Sequence, residues 1–246
     1  MEGTKNHKKL AVFDIDGTFY RWQLYYDIIL KLVERGFFPK NEADEIMTRF
    51  YAWQSRSEPF SAFEHIAIET LEIHLAELTH DLVQEVSAEI IAESGHKVYS
   101  YTRSLAASLK EQGYFLLAIS GSLHEIAEPF AKRYGFDECI GWIYEQKDGK
   151  YTGKSLRKTA GHKAERLQEF ITSHDMSLEG SVGIGDSGGD IDMLEMVAHP
   201  IAFNPSEELL AAAKENGWAI AVERKNIIYE MSFQNGIYLL EEARPL

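Results

Sequence analysis

The sequence is short of cysteine and of positive charge, and each shortage excludes a class of protein. Cys139 is its only cysteine, so neither an intramolecular disulfide nor a cysteine-rich zinc site is possible, and a reducing compartment fits. Because 25 Lys and Arg residues face 39 Asp and Glu residues, the net charge is −14. The long-range field therefore repels the phosphates of nucleic acids and anionic membranes. Any phosphate site must be built locally.

Long hydrophobic runs are also absent. No apolar stretch approaches the length of about 18 residues that a transmembrane helix needs. The apolar stretch near the N-terminus is too short for a signal peptide and meets Asp14 at once. We therefore predict a cytoplasmic protein with no membrane or nucleic-acid partner. The length suits one large domain, or a core domain with a smaller insert.

The first recognisable segment is a buried strand. Leu10–Ile15 (LAVFDI) is apolar apart from Asp14, has the length of a strand and runs into the turn signal Asp16-Gly17. After residue 95, short apolar strands alternate with helices, which is typical of a mostly parallel sheet covered on both faces. We therefore predict an α/β fold. A hairpin is predicted at Asp148-Gly149.

A helical stretch separates this first strand from the rest of the α/β pattern. From 20 to 94, apolar residues recur at helical spacing, and no convincing strand interrupts them. Within it, Ser61 and Glu64 have the spacing of a capping box at the start of a helix. The pattern predicts a core over 1–19 and 95–246 with a helical insert over 20–94.

Three polar clusters follow predicted strands. Because ligands of open α/β sheets collect at the carboxyl ends of strands, these clusters are candidate site residues. The first contains two carboxylates with one residue between them, whose repulsion a divalent cation relieves. The second places a hydroxyl and a glycine at a helix start, where backbone N–H groups suit a phosphate. The clusters are Asp14–Thr18 (DIDGT), Ser120–Ser122 (SGS) and Gly185–Asp190 (GDSGGD).

The combined residue types point to magnesium and to phosphorus chemistry. All-oxygen ligands favour Mg²⁺ over zinc. One carboxylate can attack phosphorus, while a second protonates the leaving alkoxide and then activates water. An anionic nucleophile needs positive charge beside the phosphate, which Mg²⁺, a lysine and backbone N–H groups would supply. Lys163 near the start of a predicted helix is the candidate, with Lys154 and Lys158 as nearby competitors.

These motifs resemble those of the haloacid dehalogenase (HAD) superfamily of phosphatases, and most closely its subfamily IB, which contains phosphoserine phosphatase. All four signature motifs occur in family order, and the resemblance covers nearly the whole chain. It implies a HAD-like Rossmannoid core with a helical cap of the C1 type inserted after the first motif. It further implies that a small phosphorylated metabolite is hydrolysed through an aspartyl-phosphate, with Mg²⁺ as cofactor.

The resemblance also implies a role for each cluster. Asp14 is the nucleophile and Asp16 the general acid and base. The carboxylate of Asp14, the backbone carbonyl of Asp16 and Asp186 hold Mg²⁺, with Asp190 at the metal or beside it. The residues implied to bind the phosphoryl group are Ser120, Gly121 and Lys163.

Two positions depart from the subfamily pattern and bear on the substrate. The glutamate that phosphoserine phosphatases place at the cap entrance, where it pairs with the serine ammonium, falls at Gln23. An asparagine of the fourth motif falls at Gly189. Without that carboxylate phosphoserine is disfavoured, although a different residue can substitute. Tyr20 and neighbouring aromatic residues lie at the same entrance, so an apolar or aromatic leaving group is an alternative.

Other interpretations stay open at this point. An EF-hand loop beginning at Asp14 needs an acidic residue at its twelfth position, which is Tyr25. The same aspartyl-phosphate could pass its phosphoryl group to an alcohol, which would make the protein a phosphotransferase. A receiver-like module that stores phosphate on Asp is a non-enzymatic alternative, but such modules lack a long helical insert. The physiological substrate, pathway and oligomeric state are left undetermined.

Overall fold

A single nine-stranded sheet runs through residues 9–245, the part of the chain that this computed structural model describes. Residues 1–8 and Leu246 lie outside the described residues. The prediction about a signal peptide falls partly on this N-terminal segment. The strands in chain order are β1 (Leu10–Asp14), β2 (Phe115–Leu123), β3 (Glu138–Lys147), β4 (Lys150–Arg157), β5 (Val182–Gly185), β6 (His199–Phe203), β7 (Ala219–Arg224), β8 (Ile227–Gln234) and β9 (Ile237–Pro245).

The sheet is mostly parallel, as the sequence predicted. Its strand order is β4-β3-β2-β1-β5-β6-β7-β8-β9. The six central strands from β3 to β7 pair in parallel, while β4, β8 and β9 pair antiparallel at the two edges. The α/β fold class is therefore confirmed.

Helices cover the sheet and fill the stretch between its first two strands. Thr79 caps α4 by accepting a hydrogen bond from the backbone N–H of Leu82 at 3.2 Å. No helix within residues 9–245 combines the length and the hydropathy needed to cross a membrane. The helices are α1 (Leu24–Glu34), α2 (Lys40–Gln54), α3 (Phe60–His74), α4 (His80–Ser94), α5 (Ser100–Glu111), α6 (His124–Arg133), α7 (Lys163–Ser173), α8 (Ile191–Leu194) and α9 (Glu207–Asn216).

The core forms two apolar layers, one on each face of the sheet. Along β1, Ala11 and Phe13 belong to the layer that includes α1, α3 and α4, whereas Leu10 and Val12 belong to the layer that includes α7, α8 and α9. Successive side chains of a strand point to opposite faces, so a strand buried on both faces is apolar at every position. This explains why the sequence of β1 is a continuous apolar run up to Asp14.

Hairpins extend the sheet at its two edges, where β3–β4, β7–β8 and β8–β9 pair antiparallel. The predicted turn at Asp148-Gly149 joins β3 to β4, and both residues have positive φ, at 52° and 78°. A second turn, at Asn235-Gly236, joins β8 to β9 with φ of 53° and 84°. The sequence analysis did not predict this second hairpin, although Asn-Gly between alternating apolar residues is a strong hairpin signal.

The strand order brings the polar clusters to one edge of the sheet. β1 lies between β2 and β5, with Asp14 opposite Ile119 and Phe13 opposite Ile184. The chain therefore leaves the carboxyl ends of three adjacent parallel strands at the same place, and the later strands are added on both sides of β1. A crevice at such a point is where open α/β sheets bind ligands.

Candidate active site

Three carboxylates from distant parts of the chain meet at this edge. Asp14, Asp186 and Asp190 each offer an oxygen, and these oxygens all lie within 4.8 Å of one another. Asp14 and Asp190 are 1% and 0% exposed. Lys163, the first residue of α7, donates hydrogen bonds to Oδ1 of Asp14 at 2.6 Å and to Oδ1 of Asp190 at 2.5 Å. The structure thus brings four of the predicted site residues into one cluster, of which Asp186 is the partly exposed member.

Burial and like charge both act on this cluster. Burial raises the pKa of Asp14 well above its ordinary value, and Asp190, Asp186 and Asp16 add to this rise against the pull of Lys163. Burial, followed by Asp190, raises the pKa of Asp186 to about 7. Burial alone would lower the pKa of Lys163, but the carboxylates of Asp14 and Asp190 outweigh it and raise that pKa. The lysine is therefore held as a charged ammonium.

The donor set fits a divalent cation. Three carboxylates face a single ammonium, which leaves two negative charges that a dication would neutralise. The available donors in this cluster are oxygens, the ligand type that Mg²⁺ prefers. Two ligands on opposite sides of a Mg²⁺ ion lie about 4.2 Å apart. The carboxylate oxygens lie within 4.8 Å of one another, which allows Asp14 and Asp186 to share one ion.

Asp190 holds the loop that follows β5. Its Oδ2 accepts hydrogen bonds from the backbone N–H of Asp186 at 3.1 Å, from the backbone N–H of Ser187 at 3.0 Å and from the hydroxyl of Ser187 at 3.1 Å. Its Oδ1 accepts from Lys163. Because both oxygens are engaged, Asp190 fixes the position of Asp186 and of the lysine.

The Asp16 side chain faces a different direction from the cluster. Its Oδ1 accepts a hydrogen bond from the backbone N–H of Leu24 at 2.7 Å, at the start of α1. Its Oδ2 accepts from the hydroxyls of Ser120 at 2.5 Å and Ser122 at 2.9 Å. Burial raises the pKa of Asp16 despite these bonds. A carboxyl group with a raised pKa is suited to donate a proton at neutral pH.

Ser120 is buried beside Asp16, whereas the neighbouring Gly121 lies on the wall of a cavity. The Ser120 side chain is fully buried, and its hydroxyl both donates to Asp16 and accepts from the backbone N–H of Ser122 at 2.9 Å. Gly121 lines the open cavity beside the cluster. In this arrangement the Ser120 hydroxyl positions Asp16, and Gly121 is the backbone that a ligand can reach.

A cavity of about 380 Å³ opens over these residues, within the usual range for small-molecule sites. The helical stretch contributes part of its wall through α1 and α3. Two positions that depart from the subfamily pattern, Gln23 and Gly189, lie on it. The lining residues are Asp14, Asp16, Gln23, Tyr25, Tyr26, Glu64, Ile68, Gly121, Ser122, Trp142, Ala160, Gly161, Lys163, Ser187 and Gly189.

Tyr20 does not belong to this lining within the described residues. Its side chain is 1% exposed, its ring packs edge-on against Phe130 at 5.4 Å, and its hydroxyl donates to Asp27 at 2.6 Å. The sequence predicted Tyr20 at the substrate entrance, but in the fold its side chain is buried away from the cavity lining. The reason is that its ring is used in packing between α1 and α6.

The competing lysines lie elsewhere. Lys154 pairs with Glu145 at 3.4 Å on the exposed β3–β4 hairpin. The Lys158 ammonium lies over the ring of Trp142, 5.3 Å from its centroid. Of the three candidates, Lys163 is the one that reaches the carboxylates.

Sequence reasoning missed the position of Glu64. The capping box expected with Ser61 is not formed, because α3 begins at Phe60, two residues before the start that a Ser61 cap requires; its N-cap is Pro59 and no side chain caps it. The Glu64 carboxylate instead accepts a hydrogen bond from the Tyr26 hydroxyl at 2.7 Å and lines the cavity. No local signal could reveal this, since the contact joins two different helices.

Thr18 and Gly17 of the first motif also support the carboxylate cluster. The Thr18 hydroxyl donates to Oδ1 of Asp186 at 3.1 Å. Gly17 has a φ of +89°, and a Cβ at this position would lie 2.8 Å from Cγ of Asp186. The sequence motif could have indicated that Gly17 and Thr18 belong to the site, because they directly follow Asp14 and Asp16 in the chain.

Comparison with known proteins agrees with this geometry. The family model for haloacid dehalogenase-like hydrolase matches residues 11–195. A histidinol-phosphatase from Neisseria meningitidis is 28% identical over 227 residues, covering 87% of this chain and 98% of that protein. The phosphoserine phosphatase SerB1 from Mycobacterium tuberculosis is 29% identical over 141 residues, covering 56% of this chain but 45% of that protein. The chain thus matches less than half the length of this second relative.

A solved structure shares the fold. A phospho-aspartyl intermediate analogue of phosphoserine phosphatase superposes with a TM-score of 0.59 at 20% identity, covering 89% of this chain and 95% of that one. This identity is low, so the likeness concerns the arrangement of helices and strands. The family model spans most of the chain, and the chain therefore belongs to the haloacid dehalogenase-like hydrolases, as its motifs predicted.

Proposed function

We propose that this protein is a Mg²⁺-dependent phosphatase that hydrolyses a small phosphomonoester through an aspartyl-phosphate on Asp14. One observation carries the proposal. Asp14 ends the central strand in a cavity, paired with Lys163 and grouped with Asp186 and Asp190. Mg²⁺ held by Asp14, Asp186 and the backbone carbonyl of Asp16 would neutralise charge on the phosphoryl oxygens.

The chain's own residues account for both chemical steps. Lys163 and the backbone N–H of Gly121 bind the phosphoryl group, and the Asp14 carboxylate attacks phosphorus. The bond from phosphorus to the leaving oxygen breaks, and Asp16 donates a proton to that oxygen. In the second step Asp16 takes a proton from water, which attacks the phosphorus and releases inorganic phosphate. Asp14 is then regenerated as a carboxylate.

The helical stretch has a separate role in this proposal. Residues 20–94 form a cap over a core made of 1–19 and 95–246. Side chains from α1 and α3, such as Tyr26 and Glu64, form part of the wall of the cavity that also holds Asp14 and Asp16. Such a cap excludes bulk water from the aspartyl-phosphate and selects the leaving group.

The named relatives suggest two substrate classes. The histidinol-phosphatase matches almost over its full length, whereas the phosphoserine phosphatase from Mycobacterium matches over less than half of its own. Gln23 and Gly189, which replace the glutamate and the asparagine of the subfamily pattern, argue against phosphoserine itself. A phosphorylated small metabolite other than phosphoserine is therefore our proposal.

Replacement of the nucleophile tests the mechanism. We expect Asp14→Asn to lower the turnover of 4-nitrophenyl phosphate with Mg²⁺ by at least about a thousandfold, because covalent catalysis is lost. Asp192→Asn, at an exposed position of α8, is the matched control and should keep full activity. Circular dichroism checks that both variants are folded. Wild-type turnover in the folded Asp14→Asn variant would refute the nucleophile.

Two further measurements separate the alternatives. Products formed with added alcohols identify a phosphotransferase, because the phosphoryl group then appears on the alcohol. A phosphorylated protein that persists for many minutes would indicate a receiver-like module. We expect inorganic phosphate as the main product and a short-lived phosphoprotein, since Asp16 is placed to activate water.

A further inference from the structure

A second carboxylate lies on the wall of the cavity formed by the helical stretch. Glu64, on α3, lines the same space as Asp14 and Asp16 and is half-buried. Its Oε1 accepts the hydrogen bond from Tyr26. Within residues 9–245, no Lys, Arg or His forms an ion pair with it, so its negative charge has no partner in this part of the protein.

Tyr26 holds this carboxylate in a fixed place. The Tyr26 side chain is 3% exposed, and its ring packs edge-on against Tyr25 at 5.7 Å and Phe60 at 5.4 Å. Burial, together with the hydrogen bond to Glu64 and the nearby charge of Asp16, raises the pKa of Tyr26, so the hydroxyl remains a donor. It donates to one Glu64 oxygen and leaves the other oxygen able to accept from a ligand.

The charges in the cavity are unevenly distributed. Among the lining residues in the described part of the chain, Lys163 is the one cation, and Asp14 and Asp190 already pair with it. The phosphoryl group of a substrate belongs beside Asp14, Lys163 and Gly121, so the alcohol part must extend along the remaining wall, where Glu64 lies. There an anionic group would be repelled and a cationic nitrogen attracted.

We propose that Glu64 is a specificity-determining residue that binds a primary ammonium group on the alcohol part of the substrate. This inference rests on the proposed phosphatase function and names its substrate class, the phosphate esters of amino alcohols that carry no carboxylate, because the described lining offers no cation besides Lys163. Glu64 thereby supplies, from α3, a carboxylate that the cap entrance lacks at Gln23. A charge-assisted hydrogen bond between ammonium and carboxylate provides both attraction and direction.

Matched phosphate esters test the assignment. The probes are ω-aminoalkyl phosphates with two, three or four carbons, each compared with the n-alkyl phosphate in which a methyl group replaces the ammonium. For wild-type protein we expect kcat/KM to favour the amino ester by on the order of tenfold to a hundredfold at one or more chain lengths, as a hydrogen bond to a charged group gives. The preferred length reports the distance between the phosphate and Glu64.

Variants of Glu64 test whether this residue is the source of the preference for amino esters. Glu64→Gln keeps an acceptor for the Tyr26 hydroxyl but removes the charge, so it should abolish the preference for amino esters over the matched alkyl esters. Glu69→Gln is the control on the same helix, because Glu69 is exposed, lies outside the lining and has a long contact of 3.7 Å to His65. It should keep the wild-type preference. Glu64→Lys should invert the preference in favour of esters that carry a carboxylate.

The outcomes separate this inference from the proposed function. Equal kcat/KM for amino and alkyl esters at every length in wild type, or an unchanged preference in Glu64→Gln, would overturn the role of Glu64 while 4-nitrophenyl phosphate is still hydrolysed. Absence of hydrolysis of 4-nitrophenyl phosphate by the wild-type protein with Mg²⁺ would instead contradict the phosphatase function. Circular dichroism shows whether Glu64→Gln is folded. If it is not, the preference of the wild-type protein and the inverted preference expected for Glu64→Lys still test the role of Glu64.

Discussion

The ammonium group of Lys163 lies 2.6 Å from the carboxylate of Asp14, although 149 positions separate the two residues in the chain. Asp14 ends β1 and Lys163 begins α7, and both side chains are buried. A buried ion pair that loses one partner leaves an uncompensated charge, which is strongly destabilising. Under the proposed mechanism, stability and catalysis are therefore coupled at this pair.

Removal of the lysine should be costly for the fold. We expect Lys163→Met to lower the free energy of unfolding by about 3 kcal/mol at pH 7.5, because Asp14 and Asp190 lose their cation. The pKa of Asp14 is raised in the folded protein, so the variant binds more protons folded than unfolded, and its deficit should shrink as the pH falls. Urea denaturation at several pH values measures both effects.

Lys154→Met is the control for that change. Lys154 is exposed and pairs with Glu145 across 3.4 Å, so its loss should change stability by less than about 0.5 kcal/mol. Equal stability of the two variants would argue against a structural role for the Lys163 contacts.

Binding of Mg²⁺ should stabilise the protein through Asp186. A ligand present at a hundred times its dissociation constant adds about 2.7 kcal/mol to the stability of the state that binds it. We therefore expect MgCl₂ to raise the melting temperature of the wild-type protein, and Asp186→Asn to remove most of this rise. Asp192→Asn, on the exposed face nearby, should respond to Mg²⁺ as wild type does. Differential scanning calorimetry gives the result without an activity assay.

Gly17 should tolerate no side chain. Its φ is +89°, and a Cβ would collide with the Asp186 carboxyl group. Gly113→Ala is a close control, because Gly113 has a φ of +85° and nothing within 4 Å of the added Cβ. Both substitutions cost about 1–2 kcal/mol of backbone strain. Gly17→Ala should cost more and should also weaken the thermal response to Mg²⁺, so identical behaviour of the two variants would contradict the close approach.

Asp27 should make stability fall as the pH rises from about 4 to 6. Burial raises the pKa of Asp27 to about 6, with Tyr20 donating a hydrogen bond to it. In the unfolded chain its pKa is about 3.9, so between these values the folded state binds more protons and the free energy of unfolding decreases with pH. Asp27→Asn should remove about 2–3 kcal/mol of this decrease.

Unfolding by urea at pH 4 and pH 7 measures the effect of Asp27. Asparagine still accepts the hydrogen bond from Tyr20, so the comparison isolates the charge. The same pH profile for wild type and Asp27→Asn would show that the Asp27 carboxyl is not buried as described.

Much of the fold follows from local patterns. The apolar run before Asp14 and the alternation of strands and helices after residue 95 predict the parallel sheet, because a strand buried on both faces must be apolar throughout. The β8–β9 hairpin was missed although Asn235-Gly236 carries its turn signal. The reason is that β8 and β9 lie at the edge, where exposed and polar side chains weaken the strand pattern.

The sequence by itself determined where the polar clusters stand along the chain, and parallel strands then had to bring their carboxyl ends together. Tertiary structure alone decided which lysine reaches Asp14, that Tyr20 packs internally and that Glu64 lines the cavity. These outcomes depend on how helices from distant segments pack against one another. Local spacing specifies a strand end or a helix face, but the neighbours of that face are set by the packing of the whole core.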